Sequence, residues 1–159
     1  MAGGLTVKLK GIESLQKHFE TLSVSPRVRQ AVVKGTAEVL STAKHYCPSP
    51  DTGALRNSIH MTVDQRENEV VGKVFAGSGH AMFVEFGTGV VGQESNYPRA
   101  AALGLKYAQY SWTYTPDGGE TFYTTKGYRA RPFMYPAIKQ NKLRIKQLII
   151  DALREDIRR

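Results

Sequence analysis

The alternation of apolar and polar residues predicts both strands and helices in the first part of the chain. Residues 5–9 alternate apolar and polar side chains, which predicts a half-buried strand. Residues 12–22 repeat apolar side chains at helical spacing, which predicts a short amphipathic helix. Ser25 as the cap and Pro26 at the first position predict that a second helix runs from about residue 26 to 46.

Two hairpins are predicted further along the chain. Apolar residues alternate over 59–63 and return over 70–76 after a polar turn, which is typical of an antiparallel hairpin. An aromatic hairpin is predicted from 112–115 and 120–124, because the Asp-Gly pair between them supplies the positive φ angles of a tight turn. A short helix or turn is predicted over residues 80–86, between the two hairpins.

The last helix is predicted to begin at Pro136 and to run to about residue 157. Most of its apolar residues form one stripe, and two lie off that stripe. A helix with apolar residues on two faces is either deeply buried or in contact with a neighbouring subunit. The stripe consists of Ile138, Ile145, Ile149, Ala152 and Leu153, and the two other residues are Leu143 and Ile150.

These elements predict a single α+β domain over residues 1–159, a length that is sufficient for one core. A small antiparallel sheet is expected from the N-terminal strand and the first hairpin, packed by the central helix and the long C-terminal helix. Residues 90–128 are expected to be an insertion with a protruding hairpin. Gly35 costs on the order of 1 kcal/mol inside the central helix, so we expect a close helix-to-sheet contact there.

Composition and charge narrow the possible partners. The net charge of +8 favours an anionic partner, either DNA or the acidic face of another protein, although a solvated basic surface is an equal alternative. No apolar run is long enough for a membrane span, and the first residues lack the pattern of a secretion signal. The single cysteine, Cys47, excludes an intrachain disulfide and fits a reducing cytoplasm.

The reactive residue types do not form a catalytic or metal-binding pattern, so we expect no enzyme activity and no cofactor. The four histidines lack metal-ligand spacing, and His45 and Cys47 do not face each other at the end of a helix. Glu85 stands among aromatic residues without a second acid nearby. It is therefore expected either to cap a backbone segment or to pair with an arginine.

Three short motifs combine turn-forming residues with apolar anchors: PDTGALRNSI at 50–59, FVEFGTG at 83–89 and RARPFMYPA at 129–137. Their order and spacing resemble those of the siphophage tail-completion, or head-to-tail joining neck, family, which is similar to the lambda-type minor tail protein Z and related tail-terminator connectors. The resemblance covers most of the chain and is weakest over 90–110. It implies that Arg129 and Arg131 of the third motif are candidate partners of Glu85 in the second.

The resemblance implies a structural virion protein at the phage neck. Several copies, often six in this family, would form a ring that completes the tail end and joins it to the head. The implied partners are other copies of the chain, a head connector or stopper protein, the tail tube or tail terminator protein, and genomic DNA that passes through the channel without sequence reading. The implied location is the virion, and the bacterial cytoplasm during assembly; no membrane is involved.

A subunit or partner interface is the functional surface that the sequence predicts. The stretch 107–128 is rich in aromatic residues and has a lysine near each end. This composition suits either a protein interface or the binding of single-stranded nucleic acid, and we favour the interface. The predicted interface residues are Arg56, Asn57, Glu85, Trp112, Tyr114, Phe122, Tyr123, Arg129, Arg131, Leu143 and Ile150.

The alternative function is a basic DNA-binding module that does not form a ring and uses the C-terminal helix. Residues 139–159 hold seven Lys or Arg and three acidic residues. No recognition-helix motif precedes this helix, and its apolar stripe needs burial.

Overall fold

The computed structural model describes residues 22, 24–48, 53–95, 97–116 and 118–158. The described elements include five helices: α1 (Pro26–Tyr46), α2 (Ala54–Asn57), α3 (Ala81–Phe86), α4 (Gly89–Glu94) and α5 (Met134–Ile157). They also include four strands: β1 (Ile59–Gln65), β2 (Val70–Ala76), β3 (Trp112–Tyr114) and β4 (Tyr123–Thr125). The predicted strand over 5–9 and the predicted helix over 12–22 lie outside this part of the chain, apart from Leu22.

The strands form two antiparallel hairpins, β1–β2 and β3–β4. The first is closed at one end by the bond from the Arg66 N–H to the Glu69 carbonyl at 2.8 Å, and at the other by the bond from the Gly77 N–H to the Ser58 carbonyl at 2.9 Å. The α+β class, the first hairpin and the long C-terminal helix are confirmed.

The described residues fall into two compact units. The first holds the described residues up to Thr36, Thr62–Lys73, and those from Leu143 onward; the second holds Ala37–Met61 and Val74–Lys142. The expectation of one domain over the whole chain, with an insertion at 90–128, stays a prediction.

In the first unit, the beginning of α1 packs against the end of α5. Val28, Ala31 and Ala152 form a buried apolar cluster, with Leu148, Ile149 and Leu153 packed against it. Ser25 caps α1 as predicted, because its Oγ accepts the N–H of Val28 at 3.1 Å. The same hydroxyl donates to the carboxylate of Asp156, which also binds Arg27 at 2.6 Å. Polar contacts therefore fix the helix ends that the apolar residues bring together.

Gly35 has a different neighbour from the one that the sequence predicted. A Cβ atom at this position would lie 2.9 Å from Cγ1 of Ile145, which is on helix α5. The close contact is therefore between two helices, and the predicted helix-to-sheet contact at Gly35 is wrong. The strand glycine that approaches α1 is Gly72, where a Cβ atom would meet Thr36 and Val32.

Two further predictions need correction. The second hairpin has shorter strands than predicted, and its connection runs from Thr115 to Phe122 instead of forming a tight Asp-Gly turn. Strand pairing ends at Tyr114 and Tyr123, and Gly118 and Gly119 have positive φ in the wider loop. Ile138 is 54% exposed and lines a shallow groove with Met82 and Leu103, so it does not belong to the buried stripe of α5.

In the second unit, the core residues come from elements far apart in sequence. Its most buried apolar side chains are Val39, Ala43, Cys47, Ile59, Tyr97, Phe133 and Ala137. Asn141 of α5 donates to the hydroxyl of Thr42 on α1 at 2.9 Å, and Tyr46 donates to Gln140 at 2.6 Å. Cys47 and Ile59 lie on either side of α2, so the turn between them is held between two buried residues.

Candidate functional site

The side chain of Glu85 lies inside the second unit, where it is only 5% exposed. It projects from α3, and its carboxylate meets the backbone at the beginning of α5. Oε2 accepts the N–H of Phe133 at 2.7 Å and that of Met134 at 2.9 Å. Oε1 accepts the N–H of Tyr135 at 3.0 Å. A single carboxylate thus binds three consecutive backbone donors.

These bonds complete the N-terminus of α5. A helix leaves its first N–H groups without partners inside the helix. Here Glu85 accepts from Phe133, Met134 and Tyr135, and the next residue, Pro136, has no N–H. A negative charge at this end of a helix is also stabilised by the helix dipole. Because the acid comes from residue 85, the cap joins the second sequence motif to the third.

Tyr97 provides a fourth hydrogen bond to the same carboxylate. Its hydroxyl donates to Oε1 of Glu85 at 3.1 Å, and its ring packs edge-on against Phe86, with ring centres 4.9 Å apart. Burial raises the pKa of Tyr97 well above its ordinary value, and the Glu85 carboxylate beside it raises this pKa further. The phenol therefore remains a protonated donor over the whole neutral range.

The capping role that the sequence proposed for Glu85 is confirmed, and the arginine partners implied by the family resemblance are wrong. Within the described part of the chain, neither Arg129 nor Arg131 lies within ion-pair distance of Glu85. The carboxylate already accepts four hydrogen bonds from N–H and O–H donors. Both arginine side chains are instead exposed.

The backbones of the second and third motifs also bind each other directly. Thr88 and Tyr128 exchange two backbone hydrogen bonds, at 2.9 and 3.1 Å. The N–H of Arg131 donates to the carbonyl of Val84 at 2.8 Å. Gly87, with φ of +74°, lies where a Cβ atom would come within 2.7 Å of the Tyr128 carbonyl oxygen and the Ala130 nitrogen. The close approach of the two segments therefore requires glycine at this position.

The first motif forms a turn that is anchored to the chain before it. Gly53 takes a left-handed conformation, with φ of 64°, immediately before α2. Arg56 donates to the carbonyl of Cys47 at 3.2 Å, and Asn57 ends the helix. Both of these side chains are exposed. Asp51 and Thr52, which precede Gly53 in this motif, lie outside the described residues.

Aromatic side chains cluster at the loop end of the second hairpin. Tyr114 and Tyr123 are paired across the strands, and their ring centres lie 5.9 Å apart. The hydroxyls of Tyr114 and Tyr128 are hydrogen-bonded at 3.0 Å, and this bond raises the pKa of Tyr114. Phe122, at the end of the connecting loop, is 72% exposed.

Two open grooves flank Phe83 and Trp112. The larger, which we call the arginine groove, has a volume of about 640 Å³ and is lined by His80, Phe83, Val84, Thr88, Trp112, Tyr128, Arg129 and Arg131. The smaller, of about 370 Å³, has Leu105, Tyr107 and Tyr110 on its other side. Both volumes fall in the range of binding clefts in proteins.

The predicted interface residues divide between the two units. Arg56, Asn57, Glu85, Trp112, Tyr114, Phe122, Tyr123, Arg129 and Arg131 belong to the second unit, and Leu143 and Ile150 to the first. Leu143 is 78% exposed, whereas Ile150 is half-buried. Trp112, Arg129 and Arg131 meet in the arginine groove. The interface role of these residues stays a prediction.

The sequence did not indicate the roles of Tyr97 and Tyr128. Tyr97 follows α4 in the weakly patterned region 90–110, so no periodicity marks it as buried. Tyr128 follows Gly127, which has a positive φ, and its exchange of hydrogen bonds with Thr88 spans 40 residues of sequence. Neither contact leaves a local signal.

The Cys47 thiol and the possible metal ligands among the described residues were compared with what a reactive site requires. The Cys47 thiol is 2% exposed, and burial raises its pKa, which favours the unreactive thiol form. Over the described ranges, His, Cys, Asp and Glu side chains do not gather in groups of three or more that could hold a metal ion. The helices that the structure describes are too short or too polar to cross a membrane.

Comparison with known proteins gives one match. Residues 10–87, just under half of the chain, match the model of the HK97-gp10-like family, described as "Bacteriophage HK97-gp10, putative tail-component". The match supports a tail-related phage family. It includes the first sequence motif and residues 83–87 of the second, and it ends at Gly87, before the segment that completes the Glu85 cap. No curated protein and no solved structure matches the chain.

Proposed function

We propose that this chain is a structural protein of the phage neck, which completes the tail end and joins tail to head as an oligomeric ring around the DNA channel. The tail-component match over residues 10–87 supports the structural tail role and a place in the virion. Ring formation, head joining and the closer likeness to the lambda-type minor tail protein Z rest on the order of the three motifs. In this proposal the chain acts by assembly and not by catalysis.

The partners in this proposal are other copies of the chain, most simply six, together with a head connector or stopper protein and a tail tube or terminator protein. Genomic DNA passes through the ring without sequence reading. Assembly takes place in the host cytoplasm. The positive net charge of +8 then serves complementary docking faces, which direct encounter and register.

The observation that carries the proposal is the exposed aromatic and apolar surface of the second unit. Met82 and Phe83 are 65% and 56% exposed, and they line the same grooves as Trp112 and Tyr110. Exposed apolar side chains gathered around grooves are typical of surfaces that another protein covers. Tyr and Trp in particular are enriched at such interfaces.

The Glu85 cap makes this surface suitable for repeated assembly. The groove residues Phe83 and Val84 come from α3, and Arg129 and Arg131 come from the segment before α5. Because Glu85 and the Thr88–Tyr128 bonds hold these two segments together, the groove has a fixed shape before a partner arrives. A preformed surface loses less conformational freedom on binding than a mobile one.

The DNA-binding module remains the second candidate, because Lys139, Lys142 and Lys146 of α5 are exposed. Exposed lysines along a helix can neutralise phosphates and give salt-dependent binding. This candidate makes no use of the exposed aromatic side chains of the second unit. We therefore place it second.

Light scattering after size exclusion tests the proposal. The purified chain is measured over a range of protein concentrations and at low and high salt, with and without duplex DNA of random sequence. A mass of several subunits that does not require DNA is expected. A chain that stays monomeric at all protein concentrations and changes mass only on addition of DNA at low salt would favour the DNA-binding module.

A further inference from the structure

The connecting loop of the second hairpin, Thr115 to Phe122, has chemistry opposite to that of the arginine groove. Residues 113–125 contain two acids, Asp117 and Glu120, and no lysine, arginine or histidine. This acidic loop stands out in a chain whose net charge is +8. Phe122 projects from the same loop and is 72% exposed, so the groove of its own chain does not enclose it.

The arginine groove offers the complementary groups. Its lining includes two guanidinium groups and an imidazole, and none of the described residues that line it is acidic. Arg129 and Arg131 make no ion pair with a described residue. Phe83, Trp112 and Tyr128 supply aromatic walls beside these cations.

The backbone between the two arginines is fixed. The N–H of Ala130 donates to the hydroxyl of Ser95 at 2.9 Å, and the N–H of Arg131 donates to the Val84 carbonyl at 2.8 Å. Both arginines also line the same groove, so their guanidinium groups are presented together as a paired site for carboxylates.

We propose that the acidic hairpin loop of one subunit docks into the arginine groove of a second copy of this chain. Glu120 pairs with Arg129 or Arg131, and Phe122 packs against the aromatic walls. The groove volume of about 640 Å³ is large enough for both side chains. The inference rests on the proposed ring and names the contact that would build it.

This contact is heterologous, because the loop and the groove are different surfaces of each subunit. Repetition of a heterologous contact closes a ring when the rotation between neighbours allows it. Each subunit would present its loop to one neighbour and its groove to the other. The contact differs in this way from a twofold dimer, in which the same patch meets itself.

Charge reversal on each side tests the contact. One variant is Glu120→Arg, which alters the loop only, and the other is the double variant Arg129→Glu with Arg131→Glu, which alters the groove only. The matched controls are Glu67→Arg and Arg29→Glu, which change exposed charges outside both surfaces. All these side chains are exposed, so circular dichroism and the unfolding midpoint are expected to match the parent chain.

For each interface variant, the protein concentration needed for assembly is expected to rise at least about ten-fold. The controls are expected to assemble at the same concentration as the parent chain. An equimolar mixture of the two variants tests most sharply whether the loop meets the groove. The groove variant retains an intact loop, the loop variant retains an intact groove, and the reversed loop is complementary in charge to the reversed groove. The mixture should therefore recover assembly that neither variant shows alone. Phe122→Ala should weaken assembly in the same direction.

The results separate this inference from the proposed function. If the parent chain forms no oligomer at any concentration, the proposed ring itself fails. If the parent chain assembles and both interface variants assemble equally well, the ring stands and the loop-to-groove contact is overturned. The contact is also overturned if only the groove variant loses assembly, because a different segment then occupies the groove.

Discussion

The backbone N–H of Phe133 donates to the carboxylate of Glu85 at 2.7 Å, although 48 residues separate them in sequence. The bond joins a short helix of the second sequence motif to the beginning of the long C-terminal helix. It also explains how a carboxylate can be buried among aromatic residues. The carboxylate is a helix cap supplied from elsewhere in the fold.

Replacement of Glu85 tests the cap. Glu85→Ala leaves three backbone donors at the beginning of α5 without their acceptor, so the free energy of unfolding should fall by about 3 kcal/mol. Glu94→Ala removes an exposed carboxylate at the end of α4 and should change it by less than about 0.5 kcal/mol. Urea denaturation of the three proteins gives both values. A loss below about 1 kcal/mol for Glu85→Ala would contradict the cap.

Tyr97 makes stability fall at high pH. Its pKa is raised in the folded chain, so above the ordinary tyrosine value of about 10 the unfolded chain loses a proton that the folded chain retains. The stabilising contribution is complete below that pH and is lost as pH rises above it. The unfolding free energy of Tyr97→Phe should therefore decline less than that of the parent chain from about pH 9 to about pH 11, on either side of the ordinary tyrosine pKa.

The control for Tyr97 is Tyr110→Phe, which changes a phenol that is 71% exposed. This variant should keep the pH dependence of the parent chain. An equal decline in the parent chain and in Tyr97→Phe would show that Tyr97 is not responsible.

A comparison of alanine variants at Gly87 and Gly104 distinguishes the cost of backbone strain from the cost of close packing. Both have positive φ, but a Cβ atom at Gly87 would meet two backbone atoms at 2.7 Å, whereas at Gly104 it would meet nothing within 4 Å. Gly104→Ala should cost about 1–2 kcal/mol from its conformation alone. Gly87→Ala should cost at least about 2 kcal/mol more, because the second and third motifs must move apart. Equal losses on thermal unfolding would argue against the tight junction.

Gly35 and Ile145 should show coupling in a double-mutant cycle. Gly35→Ala places a methyl group 2.9 Å from Cγ1 of Ile145 and should destabilise the parent chain by about 1–2 kcal/mol. In the Ile145→Ala background that atom is absent, and the higher helix propensity of alanine should stabilise the chain by up to about 1 kcal/mol. The same sign in both backgrounds would contradict the contact.

Local signals explain how much of the fold could be predicted. The beginning of α1 was correct because Ser25 and Pro26 carry its cap within the sequence itself. The beginning of α5 was placed two residues late, at Pro136, because its cap comes from Glu85 and no neighbouring residue indicates it. The two strands of the first hairpin were predicted from their alternation. The Asp-Gly pair of the second hairpin predicted a tight turn, whereas the structure has a wider loop.

The candidate site was harder to predict from the sequence than the helices and strands, because its contacts join segments that are far apart in the chain. The aromatic residues of 107–128 and the arginines of the third motif were identified as surface candidates, but their meeting in one groove depends on the Thr88–Tyr128 bonds. The resemblance paired Glu85 with Arg129 and Arg131 correctly as neighbouring motifs but wrongly as an ion pair. Contacts between segments 40 or more residues apart decide both outcomes.

Electron microscopy of the purified chain shows directly whether it forms a ring. Particles are imaged at a protein concentration where light scattering gives the highest mass, without DNA. Closed rings of one stoichiometry with an open centre are expected. They should disappear in the Glu120→Arg variant and persist in Glu67→Arg. Monomers or twofold dimers in the parent chain, with no closed rings at any concentration or salt, would contradict it.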